Sequence, residues 1–285
     1  MQKDPLNNIL LILIILLGTG LIPSFFSDHG KGRNQVIFKT CILNSSLREE
    51  TDYFELKSGE QILDFQKKDG IWFCGYYTDD GSFFIPAKNE KVIEFLSELS
   101  GYKSFTKIKG QVNDFSLNEN DAFVIRILEN GNLREIYFGE SDFSGTGRYV
   151  SIDGKNVMLT DKSFDRFLYV SEKQWSDPYL LSRCTETAYK ENDVMNVQKS
   201  GILELRHGGI SFFVPDTSSV PEKSFRIFMG DTSEYRLDFF PVEEEGRYHV
   251  EVEYENSSGV KKLEYAVQVS EWTYKKLEEI IGEVS

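Results

Sequence analysis

Residues 9–26 read ILLILIILLGTGLIPSFF, eighteen consecutive positions without a charged side chain. As a helix with a rise of about 1.5 Å per residue, this stretch would be about 27 Å long, close to the roughly 30 Å hydrocarbon core of a bilayer. It is too apolar for a surface helix, and the sequence after it is polar enough to fold in water. The sequence therefore predicts a membrane anchor with a short tether over residues 1–35.

Other interpretations of this stretch have less support. A cleaved signal peptide needs small residues before the cleavage site, and Gly18 and Gly20 offer a weak version of that pattern, without an A-x-A site and with Pro23 close behind. A lipoprotein signal needs a cysteine directly after the apolar run, but the first cysteine is Cys41. A buried core helix is the remaining alternative. An uncleaved single-pass anchor fits best.

The charges around the stretch give conflicting indications of its orientation. Lys3 precedes it and is offset by Asp4, whereas Lys31, Arg33 and Lys39 follow it, so a count of Lys and Arg places the following region in the cytoplasm. An N-terminal apolar segment followed by one long polar region is, however, the usual form of a signal-anchor, and long domains translocate largely regardless of charge. We therefore expect a single-pass protein of the cytoplasmic (inner) membrane with its bulk outside the cytoplasm.

The net charge of −14 and the pI of about 4.8 make nucleic acid an unexpected partner. No basic stripe is present that could neutralise phosphates, and the overall charge also disfavours association with anionic lipid headgroups. Residues 241–285 are the most acidic part, with eleven Glu against five Lys plus Arg. We interpret this excess as a means of keeping the protein soluble and protecting sheet edges.

The three cysteines, Cys41, Cys74 and Cys184, are too widely spaced for a disulfide scaffold or a zinc site. At most one disulfide bond could form after export. We interpret the cysteines as small buried apolar side chains, and we expect neither a cofactor nor a metal ion.

From residue 36 onwards, short alternating runs rich in Phe and Tyr are separated by tight Gly-containing turns such as Asp69-Gly70. This pattern of alternating runs and tight turns predicts antiparallel strands. A first αβ unit, residues 36–110, has strands followed by a helix over residues 88–99. The apolar face of that helix is formed by Val92, Phe95, Leu96 and Leu99, which recur at helical spacing.

Two further units repeat this plan. The second, residues 111–182, ends in a helix predicted over residues 160–169. The third, residues 183–285, is richer in strands, among them 202–206 and 210–214, and ends in a helix capped by Ser270.

The two predicted helix starts also match each other, because residues 160–167 align with residues 270–277 at a shift of 110 positions. The alignment indicates an internal repeat. The predicted fold class is therefore α+β, with repeated antiparallel β-meanders that are each closed by one amphipathic helix and are preceded by a single transmembrane helix.

The glycine-rich stretch 139–148 (GESDFSGTGR) is not a phosphate-binding loop. It is predicted to join two strands, and its Glu140 and Asp142 would repel phosphate. It also lacks the last glycine of a nucleophile elbow. We interpret it as a long hairpin connection.

In residues 248–255 (YHVEVEYE), one strand face carries His249, Glu251, Glu253 and Glu255. Alternate residues of a strand lie about 6.6–7 Å apart, so this row could in principle bind a hard cation. It has no turn-borne ligands or closing loop, and we interpret it as a solvated face.

Trp72 and Trp175 are candidates for sugar-stacking platforms. Both lie among other apolar residues, which favours packing in a core or a domain seam instead. Nothing in the sequence points to a catalytic site.

Several of these runs together resemble a known family. They are 68–72 (KDGIW), 85–87 (IPA) before the first helix, 138–139 (FG) with 147–150 (GRYV), and 175–181 (WSDPYLL). In this order they resemble domain-of-unknown-function family 4340 over residues 53–182. The positions that carry the resemblance, which we interpret as structural residues, are Trp72, Pro86, Gly139, Gly147, Tyr149, Trp175, Asp177 and Pro178.

The resemblance implies a bacterial envelope protein with one N-terminal membrane segment, often encoded beside an ABC-type export system of the gliding-motility kind. It implies as partners the lipid bilayer, through residues 9–26, and the permease and substrate-binding-like subunits of the transporter. It transfers no catalytic residues. Lys88 departs from the family pattern, in which an acidic residue often follows Pro-Ala, so a helix cap is in doubt. A cell-envelope module that binds a glycan, a peptide or a lipid through aromatic-rich sheets is the alternative.

Overall fold

The computed structural model describes residues 36–44, 50–129, 132–182, 199–216, 218–228, 233–256 and 258–282. In this part of the chain the strands form two antiparallel sheets, one of ten strands and one of five. Buried side chains from both sheets form one contiguous hydrophobic core.

The ten-stranded sheet has the spatial order β1-β6-β10-β9-β8-β7-β2-β3-β4-β5, so β1 and β5 are its two edges. Consecutive strands pair as hairpins from β2 to β5 and from β7 to β10. The strands are β1 (Ile37–Thr40), β2 (Tyr53–Ser58), β3 (Gln61–Lys68), β4 (Ile71–Thr78), β5 (Gly81–Pro86), β6 (Lys103–Ile108), β7 (Phe123–Glu129), β8 (Asn132–Ser141), β9 (Gly147–Ser151) and β10 (Val157–Asp161).

The five-stranded sheet has the order β11-β15-β14-β13-β12. Its strands are β11 (Gly209–Ile210), β12 (Lys223–Phe228), β13 (Glu234–Pro241), β14 (Arg247–Glu255) and β15 (Lys261–Ser270). The described helices are α1 (Asn89–Ser100), α2 (Glu172–Trp175), α3 (Lys199–Leu203) and α4 (Glu271–Gly282), with 3₁₀ turns at Val112–Phe115 and Asp165–Phe167.

Helix α1 packs its apolar face into the core, as its sequence spacing predicts. Phe95 is fully buried, and its ring centroid lies 5.5 Å from Phe54, 5.3 Å from Phe167 and 5.5 Å from Trp175. Lys88 stands at the N-terminal cap and makes no side-chain cap bond. Its Nζ instead donates to the Gln174 carbonyl oxygen at 3.2 Å, so the residue links α1 to α2.

Helix α4 covers the five-stranded sheet. The backbone N–H of Thr273 donates to Ser270 Oγ at 3.3 Å, which confirms the predicted cap. Tyr274 stacks on Tyr248 with the ring centroids 4.6 Å apart, and Leu277 is fully buried. The helix thereby closes the core on one face of the sheet.

The predicted fold class is wrong, because the units do not repeat. Strands from the first and second predicted units share one ten-stranded sheet, joined by the pairing of β2 with β7. Strand β6 adds a second link, since it pairs with β1 on one side and β10 on the other. Long-range strand pairing of this kind leaves no signal in local periodicity. The predicted boundaries between units at residues 110 and 182 remain predictions.

The helix predicted over residues 160–169 is also wrong. Thr160 and Asp161 continue strand β10 and pair with Arg148 and Gly147 of β9. A 3₁₀ turn follows in place of an α-helix. Phe164 and Phe167 are buried three residues apart, a spacing that a 3₁₀ turn also produces. The apparent internal repeat therefore pairs a strand and turn with a true helix.

The strand predicted over residues 202–206 is wrong at its start, because helix α3 continues to Leu203. The strand predicted over residues 210–214 is too long, because β11 ends at Ile210. It misses β1 and β6. Both missed strands are short, and their pairing partners lie far away along the chain.

No helix among the described residues is long and apolar enough to cross a membrane. Residues 9–26, over which the sequence predicts a transmembrane helix, lie outside the described residues. The structure therefore does not show the single transmembrane helix of the predicted fold class. The tether, residues 27–35, and Cys184 also lie outside the described residues.

We expect Phe95→Ala to lower the free energy of unfolding by about 3–5 kcal/mol, the usual cost of replacing a buried Phe by Ala. The Phe95 ring packs against Phe54 of the large sheet and against Phe167 and Trp175. Because these rings are held in place, the surrounding side chains can only partly fill the cavity that Ala leaves. Urea unfolding followed by Trp fluorescence measures the change. Ile93→Ala on the same helix is the control, because Ile93 is 46% exposed. Equal losses for the two variants would contradict the assigned packing.

Candidate functional site

A cleft opens where the edge strand β5 of the large sheet meets β14 and β15 of the small sheet. We call it the inter-sheet cleft, and its volume is about 260 Å³. Strands β3 and β5 form one wall, and β14, β15 and the segment after β11 form the other. It is lined by Gln66, Lys68, Ser82, Phe83, Phe84, Ser211, Glu251, Glu253, Glu264, Tyr265 and Ala266.

Aromatic side chains surround the β5 wall of the cleft. The Phe212 ring lies 5.1 Å from Phe83 and 5.9 Å from Tyr76, and the Phe84 ring lies 5.0 Å from Tyr77. Phe212 is nevertheless 54% exposed and Tyr77 is 58% exposed. Clustered, exposed aromatic side chains at the rim of a cleft are typical of a surface that another molecule covers.

The opposite wall is acidic. This wall is lined by Glu251, Glu253 and Glu264. The Nζ atom of Lys261 lies 2.6 Å from Glu253 Oε1 and 3.4 Å from Glu264 Oε1. Burial raises the pKa of the Glu251 carboxyl, and the nearby charges of Asp238, Glu253 and Glu264 raise it further. The negative charge of Glu251 is therefore costly in the cleft, and a cationic group beside the carboxylate would stabilise that charge.

A buried histidine lies behind this wall. His249 is 1% exposed, its Nδ1 lies 2.8 Å from Ser211 Oγ, and its Nε2 lies 3.8 Å from Glu251 Oε1. The rings of Phe213 and Phe240 flank the imidazole, and Nε2 has no hydrogen-bond partner among the described residues. Burial lowers the pKa of His249 to about 4, so the imidazole is neutral at pH 7.

The interpretation of the His249 row as a solvated face is therefore wrong for the histidine itself. Ser211 and Phe213, in the segment that follows β11, cover its imidazole. Alternation along one strand cannot show that a distant segment covers the face. Among the residues that the structure describes, no group of three or more His, Cys, Asp and Glu side chains is placed to hold a metal ion.

A serine, a histidine and a carboxylate in a row also occur in nucleophilic sites, where the imidazole takes the serine proton. A nucleophilic serine has to reach its substrate, whereas Ser211 is 5% exposed. Its backbone N–H donates to the Ala266 carbonyl oxygen at 3.3 Å, which holds it against β15. We interpret the Ser211–His249 pair as a fixed polar lining that supports the Glu251 side of the cleft.

Five of the eight family-motif residues meet at the seam between the sheets. Trp72 and Trp175 are 2% and 0% exposed, which confirms that they pack in the core. The Pro86 carbonyl oxygen accepts a hydrogen bond from Asp177 N at 2.8 Å, and Lys88 N donates to the Trp175 carbonyl oxygen at 2.7 Å. The end of β5 is thus bonded to the segment that leads to the small sheet.

Asp177 and Pro178 continue this connection. The Asp177 carboxylate accepts from Ser182 Oγ at 2.9 Å, and the Pro178 carbonyl oxygen accepts from His207 N at 3.2 Å. His207 Nδ1 accepts from Gly209 N, so its Nε2 carries the proton and donates to the Asp177 carbonyl oxygen at 2.7 Å. Burial lowers the pKa of His207, which keeps this tautomer neutral. These bonds fix the backbone between the sheets.

The other three family-motif residues lie in the β8–β9 hairpin, away from the cleft-lining residues. A Cβ atom on Gly139 would lie 2.1 Å from the Phe115 carbonyl oxygen, and one on Gly147 would lie 2.9 Å from Leu159 Cδ1. The Tyr149 ring packs on Phe115 with the centroids 4.5 Å apart. Close backbone packing therefore explains both glycines. The stretch joins two strands, as predicted.

The sequence draws attention to Glu251 and Glu253 only as part of a solvated face, and it gives no sign of the other wall of the cleft. Phe83 follows the predicted alternation of a strand and gives no sign that it faces a second sheet. Phe212 and Ser211 were placed in a strand that ends before them. A run of two Phe and a Val over residues 212–214, beyond the end of any regular element, is the one signal that could have indicated an exposed apolar segment.

Comparison with known proteins identifies a family for part of the chain. Residues 82–214 match the family model described as Domain of unknown function (DUF4340). The resemblance stated from the sequence is therefore confirmed over that segment, which includes every family-motif residue except Trp72. Neither the curated proteins nor the solved structures contain a significant match to the chain.

We expect the stability of the protein to fall as the pH falls from about 6.5 towards 4, in part because of His249. Its pKa is lowered to about 4 in the folded state, whereas an unfolded His titrates near 6.5. Above pH 6.5, His249 is neutral in both the folded and the unfolded state. Below that pH the unfolded state binds the proton first, so protonation lowers the free energy of unfolding by up to about 3 kcal/mol.

Urea unfolding at pH 7.5 and pH 4.5 measures this effect in the wild type and in His249→Gln. The variant keeps a group that can bond to Ser211 but does not titrate. His207 is present in both proteins, so its contribution cancels in the difference between them. If the two proteins lose the same stability between these pH values, the buried neutral state of His249 is wrong.

Proposed function

We propose that this protein is a membrane-associated, extracytoplasmic accessory component of an ABC-type transport system, and that it acts by protein–protein contact. The inter-sheet cleft is the observation that carries the proposal. It combines an acidic wall that contains Glu251 with exposed aromatic rings on the β5 side. A loop of a partner protein that presents Lys or Arg beside apolar residues complements both walls.

The contact has a definite energetic basis. A cation placed near Glu251 would offset the burial and like-charge repulsion that raise its pKa. Phe84, which lines the cleft from β5, offers aromatic surface to the same cation and apolar surface to its neighbours. Desolvated aromatic and charged groups at the centre of an interface contribute most of the binding energy.

The transport context comes from the family resemblance, which implies the permease and the substrate-binding-like subunit as partners. The location rests on residues 9–26, eighteen uncharged and mostly aliphatic positions that suit a lipid bilayer. Residues 27–35 then reach at most about 30 Å from the membrane to the folded body. A partner in the same membrane lies within that distance.

A cell-envelope binding module is the second candidate function. Exposed Tyr77 and Phe212 favour it, because aromatic rings beside polar groups also bind sugar rings and extended peptides. The two functions differ in the bound molecule, which is a transporter subunit in the first and an envelope polymer in the second.

We expect Glu251→Lys to reduce the recovery of permease with the full-length protein by about tenfold or more, because like charges placed against each other across an interface cost several kcal/mol. Affinity purification from detergent-solubilised membranes and quantitative mass spectrometry of the permease measure this recovery. Glu243→Lys is the matched control, since it makes the same charge change at an exposed position of the connection between β13 and β14.

Equal recovery with both variants would contradict the cleft as the contact site. Recovery of no transporter subunit with the wild type, together with retention of the protein on isolated cell-wall material, would favour the envelope-binding function instead. The thermal unfolding midpoint of each variant shows whether a loss of recovery reflects unfolding.

The membrane association has its own test. We expect the full chain to remain with membranes after alkaline carbonate extraction, and alkaline phosphatase fused after Ser285 to be active. Replacement of Ile14 and Leu16 by Arg places two charges in the apolar segment, each costing about 2.5–3.5 kcal/mol in hydrocarbon, and should release the protein. Gln2→Arg outside the segment should not. Wild-type protein in the soluble fraction would contradict the proposed location.

A further inference from the structure

Strand β5 is an edge of the large sheet, and in the described part of the chain no strand pairs with its outer side. Ala87 N donates to the Trp72 carbonyl oxygen at 2.8 Å, which identifies the hydrogen-bonded pairs between β5 and β4. In an antiparallel ladder such pairs alternate with pairs that are not bonded to each other. The register places Ser82 and Phe84 in the second group. Their backbone N–H and C=O groups therefore point away from β4.

The chain itself shows that this outer edge can pair with an extended segment. Ser176 forms an antiparallel bridge with Ala87, and Asp177 N donates to the Pro86 carbonyl oxygen at 2.8 Å. The segment then leaves β5, because Tyr179 forms its bridge with the residues before β11. The next positions along the edge are the two β5 residues whose backbone groups point outwards.

A second sheet edge lines the inter-sheet cleft from the other side. Ser211 N donates to the Ala266 carbonyl oxygen, so the backbone groups of Ala266 face away from β14, and by the same alternation so do those of Glu264. Strand β11, the neighbour of β15 on this side, is two residues long and ends before it reaches Glu264. Because Ser82, Phe84 and Glu264 all line the cleft, edge groups of both sheets open into it.

The two faces of a strand bound here would meet different side chains. The acidic wall lies on one face of the small sheet, because Glu253 is directly opposite Glu264 and two residues from Glu251. On β5, Phe83 points to the core side, where its ring packs on Phe212 with the centroids 5.1 Å apart. A strand with alternating basic and apolar side chains complements both surroundings.

Glu251 is the carboxylate that a basic side chain of such a strand would meet. Lys261 forms salt bridges with the other two glutamates of the wall, whereas Glu251 has no Lys or Arg salt-bridge partner among the described residues. Lys68 also lines the cleft, but its Nζ lies over the Phe73 ring, 6.0 Å from the ring centroid. The acidic wall thus retains one carboxylate for a cation of the ligand.

We propose that the inter-sheet cleft binds its partner as an added strand. An extended segment with alternating basic and apolar residues pairs with the outer edge of β5 at Ser82 and Phe84, and it places a Lys or Arg against Glu251. This inference rests on the proposed function and names the form and chemistry of the partner segment. Backbone pairing at a sheet edge supplies affinity, and the side chains of alternate residues supply specificity.

The peptide acetyl-Val-Lys-Val-Lys-Val-Lys-Val-amide, added to the isotope-labelled full-length protein in detergent, tests this mode of binding. Hydrogen exchange measured by NMR should slow about tenfold or more at the amides of Ser82 and Phe84. The amides of Phe83 and Ile85 already bond to β4, so they are the internal controls and should change little. The same peptide with Glu in place of Lys should bind about tenfold more weakly, because it presents like charges to Glu251.

Ser82→Pro should also weaken binding of the Lys peptide about tenfold, because proline removes an outward N–H and leaves the bonds to β4 in place. Ile37→Pro is the matched control on the opposite edge of the sheet. Lys107 N donates to the Val36 carbonyl oxygen, so the neighbouring Ile37 likewise has an outward N–H. This control should bind the peptide as the wild type does.

If Ser82→Pro unfolds, exchange at Ser82 and Phe84 in the wild type decides the question. Failure of the Lys peptide to bind, or binding without slower exchange at these two amides, would overturn the proposal. A dimer in which both amides are protected before peptide is added would overturn it as well, because a second copy would then occupy the edge. None of these measurements involves the permease, so failure of strand addition is distinct from failure of the proposed function, which the recovery of permease reports.

Discussion

The hydrogen bond from Asp177 N to the Pro86 carbonyl oxygen joins the edge of the large sheet to the segment that leads into the small one. It lies beside the bond from Lys88 N to Trp175 O, so the chain is bonded on both sides of the turn from β5 into α1. The indole of Trp175 fills the space beneath, at 5.1 Å from Phe65. Trp175 thereby belongs to the hydrophobic core that the two sheets share.

The inter-sheet cleft is a consequence of this junction. The cleft lies between β5 on one sheet and β14 and β15 on the other, so its width depends on the angle at which the seam holds the sheets. Phe83 and Phe84 of the large sheet line one wall, and the carboxylates of Glu251, Glu253 and Glu264 line the other, so the cleft needs both sheets. The hydrogen bond from partly buried His207 to the carbonyl oxygen of buried Asp177 holds the backbone between the two walls of the cleft.

Much of the local structure follows from the sequence. The hairpins from β2 to β5 were predictable, because Gly-containing turns separate runs of alternating apolar residues, and the face of α1 was predictable from the spacing of Val92 and Phe95. The pairing of β6 with β1 and β10 was not, since register between distant strands depends on the whole sheet. Thr160 shows the same limit. Its side chain suits a helix cap, but the pairing of β10 with β9 keeps the residue in a strand.

The candidate site was predictable to a smaller extent than the fold. The sequence predicted that Trp175 packs in a core or a domain seam, because other apolar residues lie beside it. It gave no indication of the cleft beside the seam. His249 was visible in the sequence, but its burial depends on Ser211, thirty-eight residues earlier in the chain. A site formed between two sheets is assembled by topology, and periodicity within one strand contains no information about the opposite wall.

The strand order places the two edges of the ten-stranded sheet far apart. Strand β1 follows the tether, strand β5 lines the inter-sheet cleft, and nine inter-strand steps separate these two strands. At about 4.8 Å per step, the path along the sheet is about 43 Å, longer than the reach of about 30 Å of the tether at residues 27–35. The tether reaches the folded body at Val36, directly before β1. Within the proposed function, the β1 edge therefore stays close to the bilayer whatever the orientation of the body, whereas the cleft is free to project towards a partner above the membrane surface.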